Sequence, residues 1–263
     1  MKSTLVRKPA VAGAFYPAEP DQLHEMVAAF LKAAQQTGPV PKAIIAPHAG
    51  YIYSGPIAAS AYARVAQARD TITRVVLIGP SHRMPFSGLA ISGAESFDTP
   101  FGSVPVDQDA VAMAKKLKQV HVMDAAHTLE HSLEVHLPFL QEVLADFKIV
   151  PLVVGDADPK EVAEVIETLW GGPETLIVVS SDLSHYHDYK TARKMDEATS
   201  QAIEHYGVFD IDYDQACGRL GILGLLLAAK KHGLKVKTID LRNSGDTAGP
   251  RDEVVGYGAY VFE

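Results

Sequence analysis

Ile44-Ile45-Ala46-Pro47-His48-Ala49-Gly50-Tyr51-Ile52-Tyr53-Ser54-Gly55 is the stretch around which this chain is organised. It opens as a short apolar run, the pattern of a strand buried on both faces, and Pro47 stops it because proline has no N–H for a sheet ladder. A histidine and a glycine turn follow at once, and Ser54 before Gly55-Pro56 reads as a helix N-cap. The same order recurs twice. Val75-Val76-Leu77-Ile78 runs into Gly79-Pro80-Ser81-His82, and Leu176-Ile177-Val178-Val179 runs into Ser180-Ser181-Asp182-Leu183-Ser184-His185. Open α/β sheets place their ligands just past the carboxyl ends of buried strands, so His48, His82 and His185 are expected in one cleft at one end of a single sheet.

The 263 residues are 47% hydrophobic and 21% charged, enough to bury a core without disulfides. No repeat, low-complexity tract or linker divides them, so residues 1–263 read as a single α/β domain with a largely parallel central sheet flanked by helices. A formal net charge of −8 argues against nucleic-acid or anionic-membrane binding, which need clustered lysine and arginine. No signal peptide is expected from the N-terminal residues, and the longest apolar stretch, Ile222 to Ala229, is too short to span a bilayer. Cys217 is the one cysteine, which excludes an internal disulfide and fits a reducing compartment. A cytoplasmic location is the expectation.

Residues 1–20 read as an extended lead-in, followed by a helix with Leu23, Met26, Val27, Phe30 and Leu31 on one face. Helices are expected from about Pro56 to Ala68, from Asp107 as cap to about Lys118, and from about Leu129 to Leu144. Pro138 imposes a kink or a later start on the last of these. Leu89-Ala90-Ile91 reads as a short strand, Thr99-Pro100-Phe101-Gly102 as a turn, and Lys148 to Gly155 as a buried strand. Further helices are expected over Pro159–Trp170 and Tyr189–His205, then a helical region over 208–232 broken by Gly218, Gly221 and Gly224. Lys235–Leu241 and Val254–Phe262 close the chain as strands.

Histidine is the commonest metal ligand, and neutral imidazoles on rigid strand ends can converge on one ion. Taken singly, His48 or His82 would be read as a hydrogen-bonded turn residue; their shared placement favours ligation. Asp182 and His185 could supply a ligand or an acid/base with its orienting partner, although Asp182 could equally cap a helix. Cys217 could be a thiolate ligand beside two imidazoles, a set suited to zinc, iron or copper, or merely a small buried hydrophobe. His127-Thr128-Leu129-Glu130-His131 matches the H-x-x-E-H string of inverted zinc proteases. That reading leaves the strand-end histidines unexplained, and a peptidase centre is not expected; His131 could instead face the same cleft as His48 and His82. Tyr51, Tyr53 and Tyr186 flank the candidate site, as pocket lining or as ordinary packing. His24, His121, His136, His187, His205 and His232 read as surface or packing residues. No Gly-rich nucleotide cradle and no G-x-S-x-G elbow occurs.

Five ordered motifs resemble the Memo family: Pro47-His48-Ala49-Gly50-Tyr51-Ile52-Tyr53-Ser54-Gly55, Gly79-Pro80-Ser81-His82, Glu130 to Pro138, Ser180 to His185, and Cys217-Gly218-Arg219. The lead-in Ala10 to Pro17 and the turn at Thr99 to Gly102 are similar to that family too, so the resemblance covers nearly the whole chain. It places the chain with the prokaryotic branch, called protein B of the AmmeMemoRadiSam system; eukaryotic members are described as mediators of cell motility. The family's fold is similar to that of class III extradiol dioxygenases, which open catechol rings with non-haem iron. By this resemblance His48, His82 and Cys217 correspond to metal ligands, Asp182 and His185 to further site residues with His185 as acid/base, and His131 to a histidine beside bound oxygen or substrate. A thiolate replaces the carboxylate of a dioxygenase triad, which changes charge donation and redox potential.

Two functions follow from the resemblance. One is a redox or dioxygenase-like enzyme holding iron (Fe2+), with copper or zinc as alternatives, and acting on a small-molecule or peptide substrate. The other is a non-catalytic module that reuses the cleft to bind a peptide or protein. A radical-SAM partner protein is implied by the AmmeMemoRadiSam grouping; nucleic acid and membrane are not expected as partners.

Overall fold

The computed structural model describes residues 5–35, 37–208 and 210–263; the first four residues of the lead-in and Phe209 of the expected 208–232 region lie outside them. The elements in chain order are β1 (Val6–Arg7), α1 (Pro20–Ala33), β2 (Ala43–Ala46), α2 (Tyr51–Val65), β3 (Arg74–Pro80), β4 (Leu89–Ile91), β5 (Ser96–Thr99) and β6 (Gly102–Pro105). Then come α3 (Gln108–Ala114), β7 (Val120–Val122), α4 (Ala125–Thr128), α5 (Leu137–Val143), β8 (Lys148–Val154), α6 (Pro159–Thr168) and β9 (Thr175–Ser180). The chain closes with β10 (His185–His187), α7 (Tyr189–Glu204), α8 (Arg219–Lys231), β11 (Val236–Asn243) and β12 (Val254–Phe262).

The main sheet runs β10-β12-β2-β9-β3-β8-β4-β7, with β11 also on β12. Its centre, β2-β9-β3-β8, is parallel, and those strands are the continuous apolar runs that two-sided burial requires. Antiparallel pairings of β12 with β2, β10 and β11, and of β4 with β8, extend it on both flanks, so the sheet is mixed outside its parallel core. β1, β5 and β6 form a separate small sheet, in which β5 and β6 are the two arms around the turn at Pro100-Phe101. α2 packs on β2, β11 and β12 with α1 and α5 against it, while α8 packs on β3 and β9 with α6 against it. One continuous hydrophobic cluster extends from Val11 to Phe262. Among the described residues no helix is long and apolar enough to cross a membrane.

Several helices differ from the sequence expectation, each for a local reason. α2 starts at Tyr51 after Gly50, not at Ser54, because the Tyr51 amide is already engaged by the Phe15 carbonyl (2.8 Å) and Ser54 donates back to Ala49 O. Pro56 therefore sits inside the helix; its missing bond falls opposite Ile52, on the exposed side. The expected helix over 129–144 is instead a turn, a short 3-10 segment at Glu134–His136 and then α5, with Pro138 in its first turn. The Glu130 carboxylate accepts the His131 and Ser132 amides at 2.9 Å each, a side-chain competition that diverts the backbone from a helix. Asp107 caps α3 as expected, accepting from Ala110 N at 3.0 Å, but α3 ends at Ala114.

α8 is unbroken through Gly221 and Gly224. A β-carbon at Gly224 would lie 2.5 Å from Val162 Cγ1, and one at Gly221 would lie 3.1 Å from Val179 Cγ1. These glycines let α8 approach α6 and the sheet closely, and that packing outweighs their low helix propensity of ~1 kcal/mol each.

Candidate metal centre

The parallel core places the site. β9 lies between β2 and β3, with Ala46 opposite Ser180 and Ile78 opposite Val179, so the residues beyond these strand ends meet along one edge. His48 follows β2, His82 follows β3, and Asp182 follows β9. The His48 amide donates to Asp182 Oδ1 at 2.8 Å, which locks the first loop to the third. Cys217 reaches the same edge from the segment before α8: its amide donates to Asp182 O, and its Sγ accepts from Asp182 N at 3.3 Å. Gly218 makes this approach feasible, because a β-carbon there would collide with Ser180 O and lie 2.6 Å from Ser181 Cβ.

His48, His82 and His131 bring one ligand nitrogen each to within 4.8 Å of one another. Three imidazoles binding one ion at about 2.0–2.1 Å stand roughly 3.3–3.6 Å apart, so the cluster would have to close by up to about 1.5 Å to hold a metal. The His48 ring is nearly perpendicular to the other two, with centroids 5.0 Å from His82 and 5.5 Å from His131. His82 and His131 are stacked at 4.6 Å and 20°. Rings that nearly parallel aim their in-plane lone pairs along lines that do not meet at one nearby point. Cys217 Sγ lies 3.3 Å from His48 Nε2.

The surroundings set the tautomers. Ser180 Oγ donates to Ser132 O at 2.6 Å, so it can only accept from His48 Nδ1, also at 2.6 Å. This leaves the proton on Nδ1 and the lone pair on Nε2, facing the cluster. Glu130 does the same for His82: its carboxylate accepts from the His82 amide at 2.6 Å and from Nδ1 at 2.9 Å, freeing Nε2. Burial alone would push the Glu130 carboxyl up, but the bonds and charge from His82 and the Ser132 amide outweigh it and hold it at about 2. Burial, reinforced by the neighbouring imidazoles, holds His48 well below its ordinary value and His131 at about 4. These two rings are therefore neutral at pH 7, the form that ligates.

Asp182 is pushed up to about 7 by burial, against the bonds it accepts from the His48 and Ala49 amides. His185 opens β10 and is lowered, chiefly by burial. Next to it Tyr186 adopts φ 60°, unusual for a bulky residue, at an irregularity in the β10–β12 pairing. His82, His185 and Cys217 all line one cavity of about 1110 Å³, bounded also by Phe86, Tyr186 and Tyr213.

His48, His82, His131, Asp182, His185 and Cys217 thus come together at one sheet edge. His127 does not join them: its ring bonds Ala90 O at 3.1 Å and packs edge-on against Phe97. The H-x-x-E-H string is not a helical face, since α4 ends at Thr128, and Glu130 is occupied in holding backbone amides and His82. Tyr51 is core, donating to Val135 O at 2.5 Å, while Tyr186 faces the cavity. Sequence reasoning missed the orienting roles of Ser180 and Glu130, and missed Phe15, whose ring lies 4.8 Å from His131. The first two stand inside the site motifs; Phe15 lies in the lead-in motif Ala10 to Pro17, but nothing in the sequence tied it to His131, and the fold brings the two together.

The family model described as Memo-like protein matches residues 7–261. The chain is 34% identical to a MEMO1 family protein of Aquifex aeolicus, covering 98% of this chain and 99% of that one. It is 37% identical to a MEMO1 family protein of Thermotoga neapolitana, covering 96% and 98%. Among solved structures, an uncharacterized protein of Escherichia coli K12, JW3007, is similar in fold with a TM-score of 0.56 at 12% identity, over 83% of this chain and 98% of that one.

Proposed function

The chain belongs to the Memo family, and we propose that it is a cytoplasmic metal-binding redox protein with iron held by His48, His82 and Cys217. The observation that carries this is the pair of imidazole Nε2 atoms left free by the Nδ1 contacts of His48 with Ser180 and of His82 with Glu130, with a half-buried sulfur 3.3 Å from the first of them. The Cys217 sulfur beside His48 Nε2 supports it as third ligand, with His131, stacked on His82, left to face substrate or oxygen. Iron so bound would supply one-electron chemistry and oxygen activation; copper and zinc suit the same donors. His185, neutral and lining the cavity, can accept a proton from a bound substrate, and Asp182, with its carboxyl near neutrality, can exchange one. The substrate is a small molecule or a peptide-borne group, and a radical-SAM protein is the proposed partner.

A binding module without catalysis is the second reading, favoured by Tyr186 and Tyr213 standing 73% and 79% exposed at the cavity mouth. Anaerobic purification with elemental analysis, then oxygen uptake with a reductant, separates the two. Stoichiometric iron and metal-dependent oxygen uptake support the enzyme; bound metal with no uptake under any reductant leaves the module.

Glu130→Gln tests the orienting role. The amide cannot reproduce the four bonds the carboxylate accepts, so iron affinity should fall about 10- to 100-fold. Unchanged affinity in a competition titration with a chromogenic chelator would show that Glu130 only shapes the turn.

A further inference from the structure

The cavity beside the histidines has a single lysine or arginine in its lining, Arg219. Arg219 is half-buried in the first turn of α8, and its Nε is shut off from solvent with no hydrogen-bond partner. Arg7, Arg64, Arg74 and Arg242 each pair with a carboxylate, but among the described residues none lies within ion-pair distance of Arg219. A guanidinium cannot shed its charge, so holding it half-desolvated and unpaired is costly unless a ligand brings the acceptor. The first turn of α8 through Gly221 lines the same wall and adds the positive end of a 13-residue helix.

We propose that this cavity takes a monocarboxylate with an apolar body, its carboxylate held by the Arg219 fork and its other end turned toward His82, His185 and Cys217. This rests on the reading of the cavity as the substrate site. A planar carboxylate matches the guanidinium fork bidentately. A phosphate, nearly dianionic at neutral pH, would meet one cation and the carboxylates of Asp156 and Asp214, which line the exposed rim. Met84, Phe86 and Leu220, with the rings of Tyr186 and Tyr213, supply the apolar wall for the body.

The test titrates 3-phenylpropanoate, its neutral amide and phenyl phosphate into the full-length protein by calorimetry, with iron loaded and with metal removed. The acid should bind about 10- to 100-fold tighter than the amide, the range expected for a charge-assisted bidentate contact, and tighter than phenyl phosphate. Arg219→Gln should erase the preference for acid over amide, and Arg219→Lys should retain part of it. Thermal melting checks that both variants fold; should the Gln variant unfold, the Lys variant must still weaken the acid while leaving the amide unchanged. Absence of acid binding, equal binding of acid and amide, a preference that survives Arg219→Gln, or tighter phenyl phosphate would each overturn the proposal. Protein that retains no metal yet keeps the acid preference would refute the metal reading alone and leave the carboxylate site standing.

Discussion

Cys217→Ser should lower iron affinity about 100- to 1000-fold, since a closed protein site draws on the order of 3 kcal/mol or more from each ligand. A serine hydroxyl occupies nearly the same volume but stays protonated and donates far less charge than a thiolate. Without metal, burial and the nearby Asp182 carboxylate hold the thiol well above its ordinary value, so it is protonated and slow to alkylate. The decisive readout is therefore metal retention: elemental analysis after dialysis against a chelator should find the parent loaded and Cys217→Ser empty. His48→Ala should fail equally, because no other described residue offers the nitrogen that Ser180 orients beside Cys217. His131→Ala should cost less, about 10- to 100-fold, as expected of a side chain that contacts the ligand set without joining it. Equal iron, copper and zinc retention by Cys217→Ser and the parent would reduce the cysteine to packing. A larger loss in His131→Ala than in Cys217→Ser would make the three imidazoles the ligand set instead.

Glu134→Gln should destabilise the fold by about 3–5 kcal/mol, the cost of leaving a buried charge without its partner. Glu134 is fully buried, and its carboxylate pairs with Arg7 while accepting from the Ala10 and Val11 amides at 2.7 and 2.9 Å and from the Tyr16 hydroxyl at 2.6 Å. Burial first, and then the Glu134 charge, pushes the Tyr16 hydroxyl far up, so it remains a donor at any working pH. Arg7 also reaches the carbonyls of His127 and Glu130 at 3.1 and 2.6 Å. One buried pair thus ties the lead-in to the loop that carries Glu130 and His131. Urea denaturation should show the loss, and melting should fall by roughly 10 °C for a chain of this size. The double variant Arg7→Met with Glu134→Gln should lose less than the sum of the two single changes, because the stranded guanidinium is gone. A loss below about 1 kcal/mol in Glu134→Gln would mean that water reaches the pair and the lead-in is held by packing alone.

The sequence alone determined the parallel heart of the sheet and the edge that carries the chemistry. Ile44-Ile45-Ala46, Val75 to Ile78 and Leu176 to Val179 are apolar on every residue, a pattern that two-sided burial explains, and each runs within a few residues into a histidine or an aspartate. His48, His82 and Asp182 were legible from there because strand ends are local features. Asp107 and Pro159 marked their helix starts for the same reason, as capping acts within one turn.

Only the tertiary structure decided what depends on contacts between distant segments. Helical periodicity over 129–144 was overridden when Glu130 spent its carboxylate on its own loop and on His82. Gly221 and Gly224 read as helix breaks until Val162 and Val179 filled the space above them. The antiparallel flanks of the sheet, the tautomer of His48 and the approach of Cys217 to Asp182 are set by strand order and hydrogen bonds between segments far apart in the chain. Periodicity reports which face of an element is buried. It carries no record of which partner buries it.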